Sequence, residues 1–290
     1  MKKLSILLFS TAILLTGCAT NNSKTGTDSS SAAKSTLTSS EKKVLKEATT
    51  EYKAYVQKQI DQLLVDTEKF RDILKEGKLD EAKKMYPLIR MSYESAEPLA
   101  ESFTELDTKI DIRLVDYVKD NQDDSGWRGF HRIEKIMWEQ NTTDGTSEYA
   151  DLLVNDVKEL DAKIATIDVT TEAMLTGAVD LLNEVADTKI TGEEEAFSHT
   201  DLYDFRANIQ GAEKIFELLK PSIEKQDAKL VKTLETNFKE VNELLDKHMT
   251  DSEHYKSYNE LSKEDIKELS ESVAKLGEPL SQMGIILKGE

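Results

Sequence analysis

The chain has 290 residues and a formal charge of -18, with 56 acidic against 38 basic residues, one cysteine, four prolines and twelve glycines. So acidic a balance argues against nucleic acid as a partner and against electrostatic docking to anionic lipid, and one cysteine excludes an intramolecular disulfide. Scarce proline and glycine, with abundant Ala, Leu, Glu and Lys, favour helix nearly throughout, so the expected fold class is all-α.

Met1-Lys2-Lys3 forms a short positive start, and Leu4 to Leu15 follows as an apolar run too short to span a bilayer comfortably. It ends at Leu15-Thr16-Gly17-Cys18, which resembles the lipobox of bacterial lipoproteins. That resemblance implies cleavage before Cys18 and lipid attachment to its thiol. Residues 1–17 are therefore expected to be a signal peptide. Their loss removes Lys2 and Lys3 and takes the formal charge from -18 to -20. The expected location is the cell membrane, lipid-anchored through Cys18 on the extracytoplasmic face. Residues 18–40 are rich in Ser, Thr, Asn, Gly and Ala, with Leu37 the sole large apolar side chain, and read as a tether. Residues 41–290 form the helical domain.

Thr38-x-x-Glu41 is a capping box that opens a long helix, with an apolar stripe through Leu45, Tyr52, Val56, Ile60 and Leu63, closed at Gly77. A second helix starts near Asp80, and Pro87 and Pro98 within it predict a kink or break. Asp120 to Gly129 reads as irregular, Phe130 to Glu139 as helix and Asn141 to Gly145 as a turn. Further helices are expected over about 147–166, 170–187, 201–219, 222–248 and 259–287. Glu134-Lys-Ile and Glu213-Lys-Ile sit at corresponding depth in two helices, either a trace of duplication or chance; Gln210 would then stand where His131 stands.

His131 and Glu134, three apart on a helix, share one face. They can form an ion pair within the helix or part of a transition-metal site, and spacing alone leaves both open. Glu94 and Glu97 repeat the spacing with two carboxylates, a costly pair unless a cation, Arg or proton lies between them. Asp107, Asp111 and Asp116 follow, and Glu193 to Glu195 is an acidic run that, read alone, is a solvated face. No second histidine completes a zinc-protease H-E-x-x-H, and neither a phosphate loop nor a G-x-S-x-G elbow occurs. His199, His248 and His254 read as surface or capping residues rather than ligands.

Taken together, Tyr93-Glu-Ser-Ala-Glu-Pro-Leu-Ala-Glu101, Lys109-Ile-Asp-Ile-Arg113, Gly129-Phe-His-Arg-Ile-Glu-Lys135, Lys189-Ile-Thr-Gly-Glu-Glu-Glu195 and Phe197-Ser-His-Thr-Asp-Leu202 resemble, in this order, the imelysin-like family of EfeO/EfeM iron-uptake lipoproteins, also filed as M75 peptidase-like. The resemblance implies an imelysin-like helical bundle, two packed four-helix-type bundles with a metal site between the halves. It implies His131, Glu134, Glu94, Glu97 and Asp111 as metal-site residues, joined by one of Glu193 to Glu195, with Glu194 chosen. It also implies ferric or ferrous iron as the ion carried, with copper or zinc as other candidates. A membrane iron permease and a haem-type peroxidase are the implied partners. Larger relatives carry a cupredoxin domain; here only the tether precedes the helices, as in the short EfeM-type form without a separate copper site. Carboxylates with one imidazole suit a hard or borderline ion such as iron. The rival expectations are an imelysin-type metallopeptidase, with Glu134 as general base, and a metal-free scaffold or adhesion lipoprotein.

Overall fold

A computed structural model describes residues 37–288. The expected leader, Cys18 and nearly all of the expected tether lie outside the described residues. Ten α-helices occur among the described residues: α1 Ser39–Lys75, α2 Leu79–Ala100, α3 Thr104–Ile110, α4 Leu114–Asn121, α5 Phe130–Glu139, α6 Ser147–Thr166, α7 Thr171–Asp187, α8 Asp201–Ile223, α9 Ala228–Asp246 and α10 Lys263–Lys288. The fold class is all-α.

The local signals of the sequence have identifiable structural counterparts. Thr38 caps α1 through a reciprocal box: the Glu41 amide donates to Thr38 Oγ1 at 3.2 Å, and the Thr38 amide donates to Glu41 Oε2 at 2.7 Å. The far end closes in a Schellman arrangement, with Lys78 N donating to Ile73 O and Gly77 N to Leu74 O. Between these caps the buried stripe runs Leu45, Tyr52, Val56, Ile60, Leu63 and Phe70.

Two expectations need correction. α2 does not break: it is continuous through Pro87 and Pro98. Pro98 has no N–H for the carbonyl of Glu94, one turn earlier, but Asn208 Nδ2 of α8 donates to that oxygen at 3.2 Å and satisfies it. Residues 104–119, to which the sequence assigned no element, hold α3 and most of α4, each too short to show a periodic stripe, and the irregular stretch expected from Asp120 begins after Asn121. The break expected between 219 and 222 falls later, at residues 224–227, with Pro221 inside α8.

Packing organises eight of the ten helices into two groups of four, and α3 lies against α6. α1, α2, α5 and α6 contact one another around one ring, and α7, α8, α9 and α10 around another. α2 joins the groups by lying against α7 and α8, and α1 also touches both. Gly177 of α7 makes that approach possible: a Cβ there would stand 1.8 Å from the Pro98 carbonyl oxygen. Buried polar residues collect along this seam.

Candidate metal centre

On α2, Tyr86, Arg90, Glu94 and Glu97 recur at helical spacing and are all buried, carrying charge into a face that periodicity reserves for the core. α8 supplies Asp201, Asp204 and Asn208 from across the seam. Asp111 follows the end of α3, His131 and Glu134 come from α5, and Lys189, Glu194 and Glu195 come from the segment after α7. Glu94, Glu97, Asp111, Glu134, Glu194, Glu195, Asp201 and Asp204 are eight carboxylates of at most 8% exposure. Arg90 and Lys189 are the fully buried cations facing them, and Arg113 stands at the edge with 15% of its side chain exposed. Acid exceeds base by enough to call for protons or a bound cation.

The start of α5 is what brings His131 to Asp111. Gly129 caps α5 at φ +98° and ψ -164°, and a Cβ would lie 2.4 Å from the Ile110 carbonyl oxygen. Only glycine fits that close pass in that backbone region. Gly129→Ala is expected to destabilise the fold by at least about 2 kcal/mol, read as a lowered urea midpoint. An unchanged midpoint would refute the close contact between α5 and the end of α3.

The cluster has two chemically different sides. Arg90 is ion-paired with Asp111 and Glu94, with Glu195 at 2.6 Å, with Glu194 at 3.2 Å and with Asp204 at 3.4 Å. Lys189 Nζ donates to Glu94 at 3.1 Å and to both oxygens of Glu97 at 3.0 Å. Asn208 Nδ2 donates to Glu94 Oε2 and to Glu97 Oε2, each at 2.8 Å. Burial opposes charge on Glu94, yet Lys189 and Arg90 hold it well below the usual carboxylate range.

On the other side, His131 Nδ1 is 3.1 Å from Glu134 Oε2. Glu134 Oε1 accepts the amides of Phe197 and Ser198 at 2.9 and 2.7 Å. Burial works against charge on Glu134, but the His131 contact and the Ser198 amide keep its pKa below the ordinary value. A charged carboxylate can only accept, so Nδ1 donates to Glu134, and Nε2 is the ring nitrogen turned to the rest of the cluster. Nε2 has no hydrogen-bond partner, and lies 3.7 Å from Asp111 Oδ1 and 4.0 Å from Glu194 Oε1. Ligand atoms of Asp111, His131 and Glu194 all lie within 4.8 Å of one another, as do those of His131, Glu134 and Glu195.

The surplus of acid appears in the protonation of the rest. Burial, reinforced by neighbouring carboxylates, pushes Glu97, Glu195 and Asp204 well above the usual range. Burial raises Asp111 and Asp201 to about 7. A raised folded-state pKa means stability is full below the unfolded value near 4 and is lost as pH rises through about 7. The metal-free protein is therefore expected to melt at a higher temperature at pH 5 than at pH 8. Calorimetry giving the opposite order would contradict the buried acid surplus.

Solvent reaches the cluster by two clefts of about 240 Å³ each. One is lined by Leu114, Val115, Ala196 and Phe197 together with His131. The other is lined by Glu101, Asp107, Asp116 and Glu184 together with Asp111 and Lys189. Arg113 and Glu194 line both. Arg113 pairs with Asp116 at 2.8 Å and with Glu184 and Glu194 at 3.4 Å each.

All six residues singled out from the sequence therefore converge, but not equivalently. His131, Asp111 and Glu194 face one another, Glu134 holds the imidazole, and Glu94 and Glu97 are occupied by Lys189, Arg90 and Asn208; Arg90 also reaches Asp111 and Glu194, and Arg113 and Lys189 reach Glu194. Arg90, Asn208, Asp204 and Asp201 were not singled out. Arg90 carried a usable signal, an i, i+4 pairing with Glu94 on the apolar face of α2. Gln210 is exposed and Glu213 accepts from Asn242, so the repeated Glu-Lys-Ile of α8 does not enter the centre.

The imelysin (M75 peptidase) family pattern matches residues 48–283. The chain belongs to the imelysin family. Within this family it is 48% identical over 288 residues, 99% of each chain, to an Efem/EfeO family lipoprotein of Staphylococcus haemolyticus. An Efem/EfeO family lipoprotein of Staphylococcus aureus is 49% identical over 243 residues, 83% of this chain and 85% of the relative. Among the described residues of this imelysin-family chain, no helix is long and apolar enough to cross a membrane.

Proposed function

We propose that this protein is a membrane-anchored, extracytoplasmic iron-binding lipoprotein of an Efe-type uptake system that delivers iron to a membrane permease. The observation that carries the reading is His131 Nε2, buried, unpartnered and directed between two carboxylates within an acid-rich seam. One imidazole with Asp111 and Glu194 offers a borderline nitrogen and hard oxygens, a donor set suited to iron and unsuited to soft Cu(I). Glu134 acts on the metal through His131, fixing the tautomer and aim of the ring. The lipobox at Cys18 and the lipoprotein names of the relatives support the anchored location, and the EfeO/EfeM resemblance supports a permease and a haem-type peroxidase as partners.

The peptidase label of the family favours a second reading, in which Glu134 is a general base. Against it, both Glu134 oxygens are engaged, one by two backbone amides and the other by His131, which leaves no edge directed at a water.

Anaerobic equilibrium dialysis of the mature chain in detergent tests the iron reading. About one equivalent of Fe(II) is expected, with zinc competing and Cu(I) excluded. Absence of iron binding at micromolar concentration would overturn it, and zinc-dependent proteolysis lost in Glu134→Gln would favour the peptidase.

A further inference from the structure

Lys189, Glu194, Glu195 and the two amides that hold Glu134 all belong to one segment, residues 189–199, between α7 and α8. After the 3-10 turn Lys189–Thr191 it runs as a chain of turns, so helical bonding does not fix its course. Two left-handed residues bracket its acidic part, Gly192 at φ +83° and His199 at φ +59°. Glycine adopts that region freely, whereas a histidine there is held by its surroundings. Tyr258 touches both. Its amide donates to the His199 carbonyl at 2.9 Å, and its ring lies where a Cβ on Gly192 would stand 2.9 Å from Cδ1. Its hydroxyl donates to the Ile190 carbonyl at 2.5 Å.

Tyr258 is itself firmly seated. It is buried in the 3-10 turn Tyr258–Glu260 and stands edge-on to Phe205 of α8, with ring centroids 5.6 Å and planes 86° apart. Just before it, Tyr255 packs edge-on against Tyr203 of α8 at 5.1 Å and accepts a hydrogen bond from Arg206 Nε at 2.7 Å. The chain around Tyr258 is thus fastened to the helix that supplies Asp201 and Asp204. We propose that Tyr258 is a positioning residue of the metal centre, a latch that fastens the 189–199 segment to α8 and sets where Glu194 stands relative to His131 and Asp111. Glu194 and the Phe197 and Ser198 amides lie between the points that Tyr258 holds. An ion that met an unfastened segment would have to order it, and that cost comes off the affinity. Displacing the segment would withdraw Glu194 from the ion and free Glu134 from its amides together. Loosening the latch is therefore a route to release.

The proposal rests on the iron-binding reading for what the segment serves, and amide exchange in the metal-free protein separates the two. Mature wild type, Tyr258→Phe and Tyr258→Leu are compared in detergent. Tyr258→Phe loses only the bond to Ile190, whereas Tyr258→Leu also removes the ring from Gly192 and Phe205. Without metal, the hydrogen-bonded amides of Phe197, Ser198 and His199 are expected to exchange about 3- to 10-fold faster in Tyr258→Phe, and faster still in Tyr258→Leu, while α1 and α6 keep wild-type rates. Fe(II) affinity is expected to fall about 3- to 10-fold in Tyr258→Phe and about 10- to 100-fold in Tyr258→Leu. Saturating Fe(II) should slow the exchange again, because the ion then ties down Glu194. Wild-type exchange at these amides in both variants would overturn the proposal, as would an acceleration spread equally over all helices. So would a folded Tyr258→Leu that binds Fe(II) within about twofold of wild type, since residues that orient a ligand cost more than that. If Tyr258→Leu fails to fold, Tyr258→Phe decides alone. If wild type binds no Fe(II), the iron reading fails and the exchange comparison alone decides the latch.

Discussion

Replacing His131 by alanine is expected to lower iron affinity by more than about 100-fold, beyond the usual effect of losing a residue that merely orients a ligand. His131 is the one imidazole in the buried cluster; His248 is buried elsewhere beside Asp265, and exposed His254 pairs with Asp251. Removing it leaves no nitrogen donor, and Glu195 and Asp204, which face Arg90 and are raised in pKa, are poor replacements at neutral pH. Glu134→Gln is expected to be graded below it, losing about 10- to 100-fold, because Gln can still contact the ring but supplies no charge to fix its tautomer. Direct titration or competition with a chromophoric chelator measures both. Equal losses would make Glu134 a ligand in its own right, and no loss in His131→Ala would remove the centre from this place.

Arg90→Met is expected to cost about 3–5 kcal/mol of stability, the range for breaking a buried ion pair by deleting one partner. The guanidinium faces Asp111, Glu94, Glu194, Glu195 and Asp204 at once, and a thioether leaves those that are ionised, Glu94 above all, without its compensation. The deficit is expected to narrow at pH 5 relative to pH 8, because the orphaned carboxylates take up protons more readily there. For a domain of this size the melting temperature should fall by roughly 10 °C or more at pH 8. A cost under about 1 kcal/mol would mean that these acids are neutral in the folded protein already.

The helices were legible in the sequence wherever an apolar stripe and a cap coincided. Thr38 with Glu41, Gly77 and the Gly129–Phe130 start all fall where the local chemistry places them. Short α3 and α4 were not legible, because seven or eight residues hold two turns and a cap-free start. Pro98 misled for a definite reason: the compensating donor, Asn208, is 114 residues from Glu94 and belongs to another helix. The acidic members of the centre could be named from spacing and resemblance, whereas the division of labour among them could not. Whether Glu94 meets a metal or a lysine depends on where the turn at Lys189 lands, and that is decided by packing across the seam. Burial is the other illegible quantity: Glu193, Glu194 and Glu195 look alike in sequence, yet Glu195 is fully buried and Glu193 lies at the mouth of a cleft.

The carbonyl that Pro98 strips of its helical partner also bears on how the chain acquires its shape. The C-terminal half of α2 cannot satisfy its own backbone; it borrows a donor from a helix made more than a hundred residues later. The first four-helix group is thus left with an unmet acceptor and uncovered acids until α8 docks, which makes the two groups a single cooperative unit rather than independently folding halves. A partly made chain has no finished seat for an ion, and loading waits for the complete molecule.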